Sequence, residues 1–176
     1  MSNNLDKKIM LKSFKRIAEI AKEKNTRFEI LIFGGVAMVL SLESRNTTQD
    51  IDVKVTGDKN ELFSISLDVG EEFGFDPGWL NYAVTMFASK HKEEASILFS
   101  SDNFTVMVAS PRYILAMKVL ALRVNYSHDI EDIKFLLKYL AISNMNDLLK
   151  IVNEFYPDKI ISVEKLNILK LLFLEN

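Results

Sequence analysis

The sequence contains no cysteine, which excludes disulfides and thiolate metal sites. Histidine is nearly absent too. His91 and His128 are the two in the chain, and neither is assigned any chemistry; a zinc site made of that pair is not expected. No uninterrupted apolar run approaches the ~18 residues that span a bilayer, so no membrane partner is expected. The stretch Met1 to Lys8 is polar and charged, without the apolar centre of a signal peptide. The expected location is the cytoplasm. Nor is one sign of charge in excess. Lysine and arginine number 22 against 24 aspartates and glutamates, a net of −2. That balance gives no global attraction to nucleic acid or an anionic membrane, so a nucleic-acid partner would need a local basic patch.

What is present suits an ordinary globular chain. Its 48% hydrophobic content is that of an ordinary globular protein, and at 176 residues about two thirds of the unfolded surface can be buried. Met10, Phe14, Ile17, Ala18 and Ala21 recur at helical spacing, which predicts a helix over residues 5–24 whose lysines form a solvated face. Phe28 to Phe33 is short, apolar and β-prone, hence a buried strand. Gly34-Gly35 breaks it, and a short helix follows over 36–43. Asp50 to Val55 alternates charged and apolar residues, as a strand with one polar face does. Asp58 is a candidate cap for a helix ending near Phe73, and Asp76-Pro77-Gly78 is a turn signal.

Residues 95–99 and 104–109 read as a hairpin. Ser110-Pro111 pairs an N-cap hydroxyl with proline at the first helical position, so a helix starts there and runs to about Arg123. Three more helices are expected over 128–140, 147–155 and 163–174. The apolar tail Leu166 to Leu174 is expected to pack on the core, with a partner interface as the alternative. The class is α+β: a mixed sheet flanked by helices over residues 1–110, then a helical part over 111–176 packed on it.

Two features carry chemistry. A strand, two glycines and a helix suit a phosphate, because glycine permits unusual backbone angles and close approach. The same pattern also fits a plain strand-to-helix turn. Asp50 and Asp52 leave the same strand face and would serve as hard oxygen ligands for Mg²⁺ or Mn²⁺. They also fit a solvated edge strand. Arg45 and Thr48 lie in the loop just before them. A guanidinium suits phosphate oxygens, whereas Thr48 also fits a hydrogen bond within the loop.

Lys118 stands alone among the apolar residues of YILAMKVLAL. A buried ammonium must reach water, pair with a carboxylate or meet a ligand phosphate. Asp129 and Asp132, three apart on the next helix, are candidate partners, and they also fit a role as first-turn acids. If Lys118 meets a carboxylate or a ligand, replacing it by methionine is expected to leave the fold intact or stabilise it while nucleotide affinity or turnover falls.

The run Gly34-Gly35-Val36-Ala37, then Arg45, Thr48 and Asp50-Ile51-Asp52, resembles the signature of the polymerase-β-type nucleotidyltransferase superfamily. More closely, it is similar to the bacterial branch that contains AbiEii-type abortive-infection toxins. Trp79-Leu80-Asn81, Leu115 to Arg123 and Asp129 to Asp132 resemble later blocks of that branch. The resemblance implies transfer of a nucleotidyl group from a nucleoside triphosphate to an acceptor, either RNA such as tRNA or a protein side chain. An antitoxin partner is implied with it. Gly34, Gly35, Arg45 and Thr48 would bind the nucleotide. Asp50 and Asp52 would hold the metal, and Lys118 with Asp129 or Asp132 would join the catalytic set.

One position departs from the pattern. Active members of the superfamily place a third carboxylate on a later strand, and Phe104 to Ala109 has none; Asp102 falls in the hairpin turn. In the AbiEii-like branch a lysine and a later aspartate take that place. The alternative function is therefore a degenerate nucleotidyltransferase fold that binds nucleotide or protein without turnover.

Overall fold

The computed structural model describes residues 5–40, 42, 44, 46–82, 88–123 and 127–174. The chain divides into two compact units: one drawn from Met1–Met86 with Ala95–Ala109, the other from Phe87–Glu94 with Ser110–Asn176.

The first unit opens with a two-residue strand, β1 (Leu5–Asp6), and helix α1 (Lys7–Glu23). The helix begins two residues later than its periodicity suggests, because the Asp6 carboxylate caps it and accepts from the Ile9 amide at 2.8 Å. Met10, Phe14, Ile17, Ala18 and Ala21 are its buried apolar residues, as the spacing requires. β2 (Phe28–Ile32), α2 (Gly34–Leu40), β3 (Thr47–Thr48), β4 (Ile51–Thr56), α3 (Lys59–Phe73) and β5 (Leu80–Asn81) follow, then the hairpin β6 (Ala95–Ser100) and β7 (Phe104–Ala109). β1 pairs antiparallel with β3, Leu5 opposite Thr48 and Asp6 opposite Thr47.

The remaining strands form one mixed sheet in the order β5-β4-β2-β7-β6. β2 runs antiparallel to β4 and parallel to β7. Residues paired across neighbouring strands share a face. Phe28, Ile30 and Ile32 thus lie beside Val53 and Val55 on one side and Phe104, Val106 and Val108 on the other. All of these are buried, and α1 packs over this face, its Phe14 ring 6.2 Å from that of Phe104. The opposite face carries Glu29, Asp52, Lys54, Thr105 and Met107, each half-buried. The hairpin turn is tied to β2: the Asn103 side-chain amide donates to the Thr26 carbonyl (2.7 Å) and Phe28 N–H to the Asn103 carbonyl (3.0 Å). β6 is the outer strand on that side, mostly exposed, and carries neither charge nor proline; its register with β7 shifts between Ile97 and Phe99.

α3 starts at the expected cap, with Asp58 accepting from the Asn60 and Glu61 amides. It is joined to α1 by the ion pairs Arg16–Glu72 (2.8 Å) and Lys24–Glu61 (2.9 Å). After α3 the chain buries Trp79, whose indole N–H donates to the Ser66 carbonyl at 2.8 Å. The Trp79 carbonyl accepts from Ile51 N–H (2.7 Å), and that bond seats β5 against β4.

The described residues of the second unit form four helices: α4 (Pro111–Ala121), α5 (Ser127–Tyr139), α6 (Met145–Phe155) and α7 (Val163–Leu172). Ser110 caps α4 with Pro111 at its start. Tyr113 stacks on Phe155, ring centroids 4.9 Å apart, and its hydroxyl accepts from Ser89 N–H at 2.7 Å. Burial, then the neighbouring Tyr113, pushes the Tyr156 phenol far above its ordinary range. In the tail, Leu169 and Leu172 are buried while Leu171 and Leu174 are exposed. No helix among the described residues is long and apolar enough to cross a membrane.

Gly70 tests the Trp79 seat. Alanine in a helix is favoured over glycine by about 1 kcal/mol. A Cβ here, however, would lie 2.9 Å from the indole nitrogen and 3.1 Å from Cδ1. The ring is fully buried and cannot step aside, so the clash should win. Gly70→Ala is expected to lower stability by about 1–3 kcal/mol and to shift the emission of this sole tryptophan to the red. Urea unfolding followed by fluorescence reads both; a stabilised variant with unchanged emission would refute the seat.

Candidate functional site

The antiparallel register places Ile32 opposite Val53, and one step further Phe33 N–H donates to the Asp52 carbonyl at 3.0 Å. The chain leaving β2 therefore turns directly beside Asp52. It does so at Gly34, with φ +60°. A Cβ on Gly34 would lie 2.9 Å from Asp52 Oδ2. Glycine is required there twice, by the left-handed backbone and by the carboxylate lying against its Cα.

A third element closes on the same carboxylate. β5 runs parallel to β4 with Asn81 opposite Asp52, and the Asn81 amide donates to Asp52 Oδ1 at 3.1 Å. Asp50 sits just before β4 on the same alternation, and both aspartates are half-buried. The Thr48 hydroxyl donates to the Asp50 carbonyl (3.2 Å), so it shapes the loop that delivers Asp50. Gly35, half-buried, continues into α2. The structure thus brings together Gly34, Gly35, Thr48, Asp50 and Asp52. Arg45 lies outside the described residues. Asn81 was not singled out for any role by its sequence, although its block Trp79-Leu80-Asn81 was; its contact exists only through strand pairing.

The other expected residues meet within the helical unit. Lys118 Nζ on α4 lies 2.5 Å from Asp132 Oδ2 and 4.0 Å from Asp129 Oδ1 on α5. Arg123 Nε bonds Asp129 Oδ2 at 2.9 Å. Two cations and two carboxylates therefore form one chain of contacts, and Lys118 is held by a carboxylate. The Asp132 side chain is only 4% exposed and that of Lys118 14%. This reverses the expectation for Lys118→Met. Removing the ammonium strands a buried carboxylate, which is strongly destabilising.

These observations can be set beside known families. Residues 9–168 match the family described as nucleotidyltransferase of unknown function (DUF6036). The chain belongs to this nucleotidyltransferase family. No curated protein matches it. Within the nucleotidyltransferase sheet, β7 occupies the place beside β2 and carries no carboxylate. Asp102 cannot substitute. β7 runs parallel to β2 with Phe104 opposite Phe28, so Asp102 lies at the sheet end away from Gly34, roughly 13 Å or more along the strands. Among the described residues no group of three or more carboxylates and histidines is placed to hold a metal.

Asp50 and Asp52 are the residues that could hold a magnesium ion. Both are oxygen donors, and Mg²⁺ commonly takes one or two carboxylates and completes its shell with water and substrate phosphates.

Two measurements follow. Gly34→Ala should destabilise by about 1–3 kcal/mol, from left-handed strain and the contact with Asp52; unchanged stability in urea would contradict the turn geometry. Lys118→Met should lose about 3–5 kcal/mol, while Lys118→Met with Asp132→Leu should recover most of it, since replacing both partners of a buried pair by apolar groups is near neutral. Additive losses in the double variant would refute the pairing.

Proposed function

We propose that this nucleotidyltransferase moves a nucleotidyl group from a nucleoside triphosphate to an RNA or protein acceptor, as a metal-dependent enzyme of the AbiEii-like branch. The observation that carries this reading is the Gly34 Cα lying against the Asp52 carboxylate, with Asn81 bonding that carboxylate from the other side. A turn and a strand needed only for packing would not require an acid against a left-handed glycine.

In the proposed reaction an acceptor oxygen attacks the α-phosphorus, the bond to the β-phosphate breaks, and pyrophosphate leaves with the electron pair. The acceptor's proton passes to solvent. Asp50 and Asp52 would hold Mg²⁺ or Mn²⁺, which supplies charge neutralisation on the phosphate oxygens. Gly34 and Gly35 admit the triphosphate close to the backbone, with Arg45 and Thr48 assigned to it by the resemblance. Asn81 orients the Asp52 carboxylate. Asp132 and Asp129 keep Lys118 a fixed cation in the helical unit, the part proposed for that trio. An antitoxin that silences the activity belongs to the same reading. The carboxylate-free β7 favours a second reading, a binding protein without turnover.

Incubation with α-labelled nucleoside triphosphates, Mg²⁺ and either total RNA or protein extract separates the two. Label is expected on one acceptor class with the wild type. Asp52→Asn, which keeps size and removes charge, should reduce it by about 100-fold or more. No label from any of the four nucleotides would favour the binder, and undiminished label in Asp52→Asn would sink the site. The Lys118→Met, Asp132→Leu variant carries the last part: full activity in that refolded double variant would assign the trio to stability alone.

A further inference from the structure

The near-neutral total conceals a local asymmetry. α1 (Lys7–Glu23) carries six cations and two carboxylates, a net of +4. The whole chain is −2, so the remaining residues together carry −6. Five of these cations fall into two sets. On the flank facing α3, Arg16 is bound by Glu72 and Glu19, and Lys24, just past the helix end, by Glu61. On the outer side Lys8, Lys12 and Lys15 are exposed, and no carboxylate among the described residues pairs with them. At 100° per residue these three lie within about 60° of one another, one ridge about 10 Å long. Lys22 continues it beyond Glu19, whose carboxylate is engaged by Arg16.

The ridge also has a fixed starting point. β1, directly before α1, pairs with Thr47–Thr48, and the Thr48 hydroxyl bonds the Asp50 carbonyl. The first turn of α1 is therefore tethered to the loop that delivers Asp50. The chain then runs down the helix and returns up β2 to Gly34, so Lys8 lies at the Gly34 end of the sheet and Lys15 further away.

We propose that the Lys8–Lys12–Lys15 ridge is a docking track for the phosphate backbone of an RNA acceptor strand, which reaches the Asp50–Asp52 site round the Gly34 end of the sheet because Asp52 lies on the face opposite α1. The inference rests on the transfer reading for its destination and on charge complementarity for its partner. A cationic ridge on an otherwise acidic protein attracts a polyanion to that one side and repels it elsewhere. Three unpaired lysines along a helix neutralise successive phosphates without reading bases, so binding should be strongly salt-dependent and indifferent to sequence.

The test is fluorescence anisotropy of a labelled single-stranded RNA with the full chain. Wild type should bind with a log–log salt slope near −2, as about three released counterions per site imply. Lys8, Lys12 and Lys15→Glu together should weaken binding by about 100-fold or more, and the gentler Lys→Gln triple variant by about tenfold and with a flatter slope. Circular dichroism checks that both keep their helices. Asp52→Asn should bind RNA like the wild type while losing transfer, whereas a wild type that binds RNA but transfers no label would fail the functional reading and spare the track. RNA binding unaffected by either triple variant would overturn the track. So would an equal-affinity complex with polyglutamate, since the ridge would then serve an acidic protein.

Discussion

The antiparallel pairing of β2 with β4 governs the candidate site. It buries alternate residues of both strands under α1, and its last hydrogen bond, from Phe33 to Asp52, brings the chain to Gly34 beside the acid. A slip of one residue would carry Asp52 and Lys54 into the apolar layer and turn Val53 outward. The hydrophobic pattern that holds the sheet together thus also fixes where the carboxylate points. Packing and chemistry share one register.

Much of this fold was legible in the sequence because its signals are local. The buried face of α1, the Asp58 and Ser110 caps and the β6–β7 hairpin follow from periodicity and end chemistry. β1, β3 and β5 were not legible, because two-residue strands have no period of their own and exist only through their partners. The site divides in the same way. Gly34, Asp50 and Asp52 stood out by type and spacing, whereas Asn81 reaches Asp52 through the parallel β4–β5 pairing that Trp79 anchors. The need of Lys118 for a partner was plain from its apolar surroundings. The sign of its replacement was not, because it depends on how deeply Asp132 is buried.

Charge in this protein is arranged by local neutralisation. The cations that meet α3 find glutamates there, Lys118 finds Asp132, and Glu154 is bound by both Lys92 and Arg112. Those two neighbours hold the Glu154 carboxyl below its ordinary range. Against that pattern the outer side of α1 gathers Lys8, Lys12 and Lys15 along one helix face, so an unremarkable net charge says little about partners.

The sheet order also sets a sequence of events for folding. β2 pairs with β7, so Phe28 must find Phe104, while β6 and β7 meet across a short turn. Local hairpins close in microseconds, and distant strands join later because a long loop must first be closed. Until β7 docks, the hairpin offers its uncharged β6 segment and the bare edge of β7 to any other chain. After docking, the register shift between Ile97 and Phe99 interrupts the ladder of the exposed strand, which makes it a poorer template for strand addition. The interval of greatest aggregation hazard is therefore the wait for β2, when strand edges stand unpaired, rather than the finished sheet.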